Sequence, residues 1–160
     1  MNPISSGIAG LGNVGAEVAY QLIKGFKVQN NLFQIQLVVV SSKSKDNKSK
    51  VNINGIKFFD DPIDMISSPE IDVIVELIGG DNGVAKDLCF SALQNNTSLI
   101  TANKALIANY GKHLAEIAER NQLFFSFEAS VAGGIPILQL ISEGVLVNAI
   151  TTFSYTLLPL

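Results

Sequence analysis

The 160-residue chain has one cysteine and one histidine, and only 16% of its residues are charged. One cysteine cannot close an intramolecular disulfide, and one histidine excludes paired-histidine metal sites and argues against serine–histidine chemistry. Eleven basic residues against fourteen acidic ones leave a net charge of −3, too little positive charge to neutralise a nucleic-acid backbone without a clustered patch. Nucleic acid is therefore not an expected partner. No basic leader opens the chain at 1–7, and the first apolar stretch is broken by glycines, so no secretory signal is expected. Long apolar runs are also missing: the nearest, 144–160, carries Asn148, several hydroxyls and Pro159 and is too short to span a bilayer comfortably. The expectation is a cytoplasmic protein with no membrane partner.

Hydrophobic residues are plentiful at 48%, enough for a sizeable core. At roughly 150 residues per domain the length predicts a single domain, with no room for a separate catalytic one. Ile4 to Ala9 reads as a strand, followed by a glycine-rich turn and a helix whose apolar positions are Val14, Val18 and Leu22. Gln34 to Val40 begins by alternating and then becomes continuously apolar, as a parallel strand buried on both faces does. The lysine-rich 42–54 stretch reads as a solvated loop or hairpin. Asp72 to Ile78 predicts a third strand, closed by Gly79 and Gly80, and Val84, Leu88 and Ala92 mark the next helix. A short strand at Ser98 to Thr101, a helix from Lys104 to Arg120 and a strand from Leu123 to Phe127 follow. Alternating β and α elements predict an α/β, Rossmann-like, doubly wound parallel sheet with helices on both faces.

Gly10, Gly12 and Gly15 lie between a strand and a helix, the context that a dinucleotide turn requires. Gly10 would permit the tight turn, Gly12 the approach of a pyrophosphate, and Gly15 close helix packing, while the helix N-terminus offers amide donors. An NAD site would usually end its second strand in Asp or Glu, yet Ser41-Ser42-Lys43-Ser44-Lys45 stands there. Hydroxyls and lysines accept a 2′-phosphate where a carboxylate would repel it, which favours NADP over NAD; the alternative is that Lys43 and Lys45 only solvate a loop. Lys104 falls in the first turn of its helix behind the capping candidate Asn103, where the dipole disfavours a cation. A residue that breaks a local rule at a strand end is a candidate for function, or else a plain surface lysine. Glu128 precedes a glycine-rich turn with Pro136 suited to a helix start, which is either structural or part of an all-oxygen shell for a hard, weakly charged cation. His113 reads as a packing residue and Cys89 as a core thiol.

The motifs Gly-Leu-Gly-Asn-Val-Gly at 10–15, Glu-Leu-Ile-Gly-Gly at 76–80, Thr-Ala-Asn-Lys-Ala-Leu at 101–106 and Phe-Glu-Ala-Ser-Val-Ala-Gly-Gly-Ile-Pro-Ile at 127–137 resemble, in order and spacing, those of homoserine dehydrogenases. The resemblance implies an NAD(P)-dependent oxidoreductase interconverting L-aspartate 4-semialdehyde and L-homoserine in threonine and methionine biosynthesis. It places Gly10, Leu11, Gly12, Asn13, Val14, Gly15 and Gly79 at the cofactor, beside Ser41 and Lys43, and gives Lys104 contact with both the nicotinamide and the reacting oxygen. It also implies a structural sodium ion held by Glu128 with the carbonyls of Val131, Gly133 and Ile135.

After Ile150 the family's substrate domain, with its acidic contacts and second lysine, has no counterpart, and 151–160 reads as a divergent tail. The domain expectation is thus an NAD(P)-binding unit at 1–150 in a truncated homologue, as a frameshift would produce, that binds cofactor without turnover. The apolar stretch 135–160 then lacks its cover, which predicts a homo-oligomer. The competing reading is a non-catalytic dinucleotide-binding module.

Overall fold

A computed structural model describes residues 3–25, 34–43, 51–68 and 71–132. Six strands, β1 (Ile4–Ala9), β2 (Ile35–Ser41), β3 (Lys57–Phe59), β4 (Val73–Glu76), β5 (Ser98–Thr101) and β6 (Phe125–Ser126), alternate with helices α1 (Asn13–Lys24), α2 (Val84–Gln94), α3 (Lys104–Arg120) and α4 (Glu128–Ala132), and a 3₁₀ segment spans Pro62–Ser67. The strands pair in parallel in the order β3-β2-β1-β4-β5-β6. The winding reverses between β1 and β4, and at such a switch point the helices depart to opposite faces and leave a crevice beyond the strand ends.

Side-chain alternation along the central strands builds a core on each face. Ile8 and Val40 pack with Leu11, Ala16, Ala19, Leu37 and Val51 beneath α1. Their chain neighbours Ala9 and Val39 turn to the other face, where Met65, Ile74, Leu88, Leu99, Leu106 and Leu114 pack under α2, α3 and the 3₁₀ segment. Cys89 lies in this second core; burial pushes its thiol well above the usual range, and the charge of Glu76 adds to the effect. α2 and α3 each pass through a left-handed residue, Asn96 (φ 60°) and Gln122 (φ 54°), on the way to β5 and β6.

Several sequence expectations are corrected. Of the expected apolar positions of α1, Val18 and Leu22 pack against the core but Val14 is 62% exposed, and the buried residues are the small Gly15, Ala16 and Ala19. β4 stops at Glu76 rather than Ile78, because the Glu76 side chain takes the Ile78 and Gly79 amides that would have continued the ladder. β6 spans only Phe125–Ser126 at the sheet edge, and Glu128–Ala132 form the short helix α4. β3 and the 3₁₀ segment carry too few residues to show a period. Gly133, Ile135, Pro136 and the boundary at 150 lie outside the described residues.

Candidate functional site

The β1–α1 turn is built by close backbone contacts. Gly10 has φ +101°, and a Cβ there would lie 2.7 Å from the Leu77 carbonyl oxygen. At Gly15 a Cβ would lie 1.8 Å from the Gly10 carbonyl oxygen, so only glycine lets α1 sit this close to β1. Gly12 differs: a Cβ there would meet nothing within 4 Å. The fold itself accounts for Gly10 and Gly15, and open space lies over Gly12. The Ala16 amide donates to Gly12 O at 2.9 Å as the helix begins, which sets the first turn of α1 at this point.

Three strand ends are tied together around the turn. The Gly10 amide donates to Ser41 O at 2.9 Å and the Leu77 amide to Ala9 O at 2.8 Å. A cavity of about 580 Å³ opens above them, lined by Gly10, Leu11 and Gly12, by Ser41, Ser42 and Lys43, by Asp60, Asp61 and Pro62, and by Leu77, Ile78 and Val84. Ser41 is 1% exposed, and its Oγ has no hydrogen-bond partner among the described residues. A buried hydroxyl without a partner is costly in a folded protein unless something else supplies one. Together with the unfilled space over Gly12, this cavity fits a ligand that brings polar groups to the end of β2.

Glu76, which closes β4, is fully buried. One carboxylate oxygen accepts from the Ile78 and Gly79 amides at 2.8 and 3.0 Å, and the other accepts from the Thr101 hydroxyl at 2.5 Å. Thr101 Oγ1 in turn accepts from the Asn103 amide at 3.0 Å. Asn103 caps α3 by accepting from the Leu106 amide at 3.1 Å, and its Nδ2 donates to Gly80 O at 2.5 Å. Lys104 is the exposed first residue of α3 immediately after this cap. Ser130 of α4 donates to Thr101 O at 2.7 Å, which fastens α4 to the same strand end.

Of the residues singled out from the sequence, Gly10, Leu11, Gly12, Ser41 and Lys43 line one cavity. Asn13, Val14 and Gly15 form the adjoining first turn of α1, and Gly79 and Lys104 stand at the same edge of the sheet, outside the cavity wall. Glu128 and Val131 both lie on α4, so the described residues contain only part of the expected cation shell. No group of three or more His, Cys, Asp or Glu among the described residues could hold a metal. His113 is exposed and packs edge-on against Phe90. Asp60, Asp61 and Glu76 were missed. The first two follow a strand of three residues, and a lone Glu in an apolar strand gives no sign of what it will bond.

The sheet order, the switch-point crevice and the glycine turn beneath it define a dinucleotide-binding domain of the Rossmann type. The family model "Homoserine dehydrogenase, NAD binding domain" matches residues 10–128, and the chain belongs to this family. Homoserine dehydrogenase of Neisseria gonorrhoeae is 33% identical over 96% of the chain and 35% of its own length. That of Pseudomonas aeruginosa is 35% identical over 94% and 34%. The crystal structure of a homoserine dehydrogenase from Thiobacillus denitrificans superposes with a TM-score of 0.79 at 34% identity, covering 92% of this chain and 34% of that one. The chain thus spans about a third of the length of the curated relatives it matches. No helix among the described residues is long and apolar enough to cross a membrane.

Proposed function

We propose that the cavity binds a nicotinamide dinucleotide and that these residues form the cofactor-binding part of a homoserine dehydrogenase. The unpartnered, buried Ser41 hydroxyl at the cavity wall carries this reading. On this reading Ser41, Ser42 and Lys43 receive the adenosine ribose, and the first turn of α1 receives the pyrophosphate over Gly12. The nicotinamide end extends past Ile78 and Gly79 toward Lys104. When bound, the nicotinamide supplies the hydride chemistry that interconverts L-homoserine and L-aspartate 4-semialdehyde, on the route to threonine and methionine. On this reading the chain's own residues bind and orient, and Lys104 serves the reacting oxygen.

Lys43 and the serine hydroxyls favour a 2′-phosphate and hence NADP. Asp60 and Asp61 share the cavity wall and oppose it. Asp61 is engaged in capping the 3₁₀ segment through the Ile63 amide at 2.9 Å, which leaves Asp60 as the main counterweight. Discrimination between the two cofactors should therefore be modest. The Glu128 carboxylate and the Val131 carbonyl are oxygen donors suited to a sodium ion, which prefers hard ligands of low total charge.

Fluorescence titration with NADPH tests the reading. The wild-type chain should bind, and Gly12→Val, whose side chain enters the space over the turn, should not. Equal affinity in the two proteins would refute the assignment of the pyrophosphate to this turn.

A further inference from the structure

We propose that Glu76 is a positioning residue of the cofactor site: its buried carboxylate holds the loop after β4 and the turn before Lys104 in one fixed relation. The proposal rests on the nicotinamide-dinucleotide reading and assigns a role to a group outside the cavity wall. A carboxylate with no exposure is costly unless its lone pairs meet donors, and no ion pair to Glu76 exists among the described residues. Its surroundings include the apolar Ile74 and Cys89 of the second core, where an aliphatic side chain would fill space at no such cost.

The donors that Glu76 has gathered all belong to the site edge. Two are consecutive loop amides, Ile78 and Gly79, ahead of two residues with φ near +84°, Gly79 and Gly80. The third is the Thr101 hydroxyl at the end of the neighbouring strand. The circuit then closes: Thr101 Oγ1 takes the Asn103 amide, and the Asn103 side chain reaches back to Gly80 O. The loop is therefore held at both its ends, by Glu76 and by Asn103, and the backbone of Lys104 leaves directly from the second anchor. Cutting the Glu76–Thr101 link should free the nicotinamide end to adopt other shapes and leave the adenosine end, at Ser41 to Lys43, as it was.

Glu76→Gln weakens this link. Its amide oxygen still serves Ile78 and Gly79, but its NH₂ can only donate to the Thr101 hydroxyl, which removes the charge from the bond and leaves the hydroxyl proton without its acceptor. Thr101→Val cuts the same link from the other side, and with it the bond from the Asn103 amide, with little change of shape, and Thr101→Ser keeps the hydroxyl. Each protein is titrated with NADPH and with adenosine 2′,5′-bisphosphate, a probe carrying only the adenosine end. We expect Glu76→Gln and Thr101→Val to weaken NADPH about tenfold, as the loss of a buried charge-assisted hydrogen bond would. Adenosine 2′,5′-bisphosphate should change by less than about twofold, and Thr101→Ser should retain NADPH binding. A parallel fall for both probes would mean general loosening of the fold and would overturn the proposal, as would no change in either. If the wild-type chain bound neither probe, the dinucleotide reading would fail first and this inference with it. Should Glu76→Gln not fold, the Thr101 pair decides alone.

Discussion

Gly15→Ala should damage the fold, whereas Gly12→Ala should leave it intact. The alanine Cβ at Gly15 would stand 1.8 Å from the Gly10 carbonyl oxygen and 2.9 Å from its carbon, and α1 would have to retreat by about 1.6 Å to reach an ordinary 3.4 Å contact. The obstacle is main chain already committed to a turn with φ +101° at Gly10, so it cannot swing aside as a side-chain tip does. Retreat would open a gap between Leu11, Ala16 and Ala19 and the Ile8, Leu37 and Val40 surface, and even a gap of about 0.5–1 Å forfeits a quarter to a half of the dispersion well. Overpacking costs about 1–3 kcal/mol and occasionally more; with main chain as the obstacle, about 3 kcal/mol is expected. At roughly 2–4 °C per kcal/mol for a domain of this size, Tm should fall by about 10 °C. Thermal unfolding followed by circular dichroism measures it, with Gly12→Ala as the control. A Gly15→Ala Tm within about 2 °C of wild type would show that the turn yields cheaply and would refute the close-packing argument.

Lys43→Glu should weaken NADPH more than NADH, by about 1 kcal/mol for the lost charge contact, and Asp60→Asn should shift the ratio the other way; parallel changes in both affinities would remove these residues from the 2′ position. Cys89 should resist thiol reagents at pH 8 in the native chain and react once the chain is unfolded; prompt native labelling would contradict its burial. The Cys89 thiol is raised in the folded state, so above its ordinary value of 9.0 the unfolded chain binds fewer protons than the native one and stability falls with rising pH. Cys89→Ala should remove that part of the slope in denaturant titrations between pH 8 and 10. A polypeptide of these 160 residues should not reduce NADP with L-homoserine, since substrate positioning alone contributes about 7–11 kcal/mol to such rates. Turnover within about tenfold of a typical 10 per second would show that the substrate chemistry resides within them.

The alternation of short strands with helical periods was legible from apolar residues set between glycine and polar breaks, and β1, β5 and α3 agree residue for residue with their sequence expectation even though Ser6 and Thr101 lie buried in the strands. The roles of Gly10 and Gly15 could be read because each enforces a backbone contact that any side chain forbids. The contact face of α1 could be read from hydrophobicity only in part: Val18 and Leu22 pack against the core, and Val14 does not. At a close helix–sheet contact smallness outranks apolarity, so Ala16 and Ala19 are buried where Val14 is not. Asp60 and Asp61 enter the cavity wall only because β3 pairs in register with β2, setting Phe59 opposite Ser41, and no local spacing encodes that neighbourhood. Glu76 and Thr101 are 25 residues apart in the chain and face each other only through the β4–β5 register.

The left-handed residues Asn96 and Gln122 lie at the opposite rim of the sheet from the cavity, separated from it by strands such as β5, whose four residues span roughly 10 Å. That separation gives the two rims different tolerance of change. Around Gly10, Ser41 and Glu76 main chain and side chain are bonded across strands, and a gain or loss of one position would displace several donors at once. At the far rim the ties are between helix ends, as where the Asn121 side chain donates to Leu93 O, and none reaches the cavity, so a fluorophore or affinity handle grafted at Asn96 or Gln122 would report on the domain while leaving its ligand edge untouched.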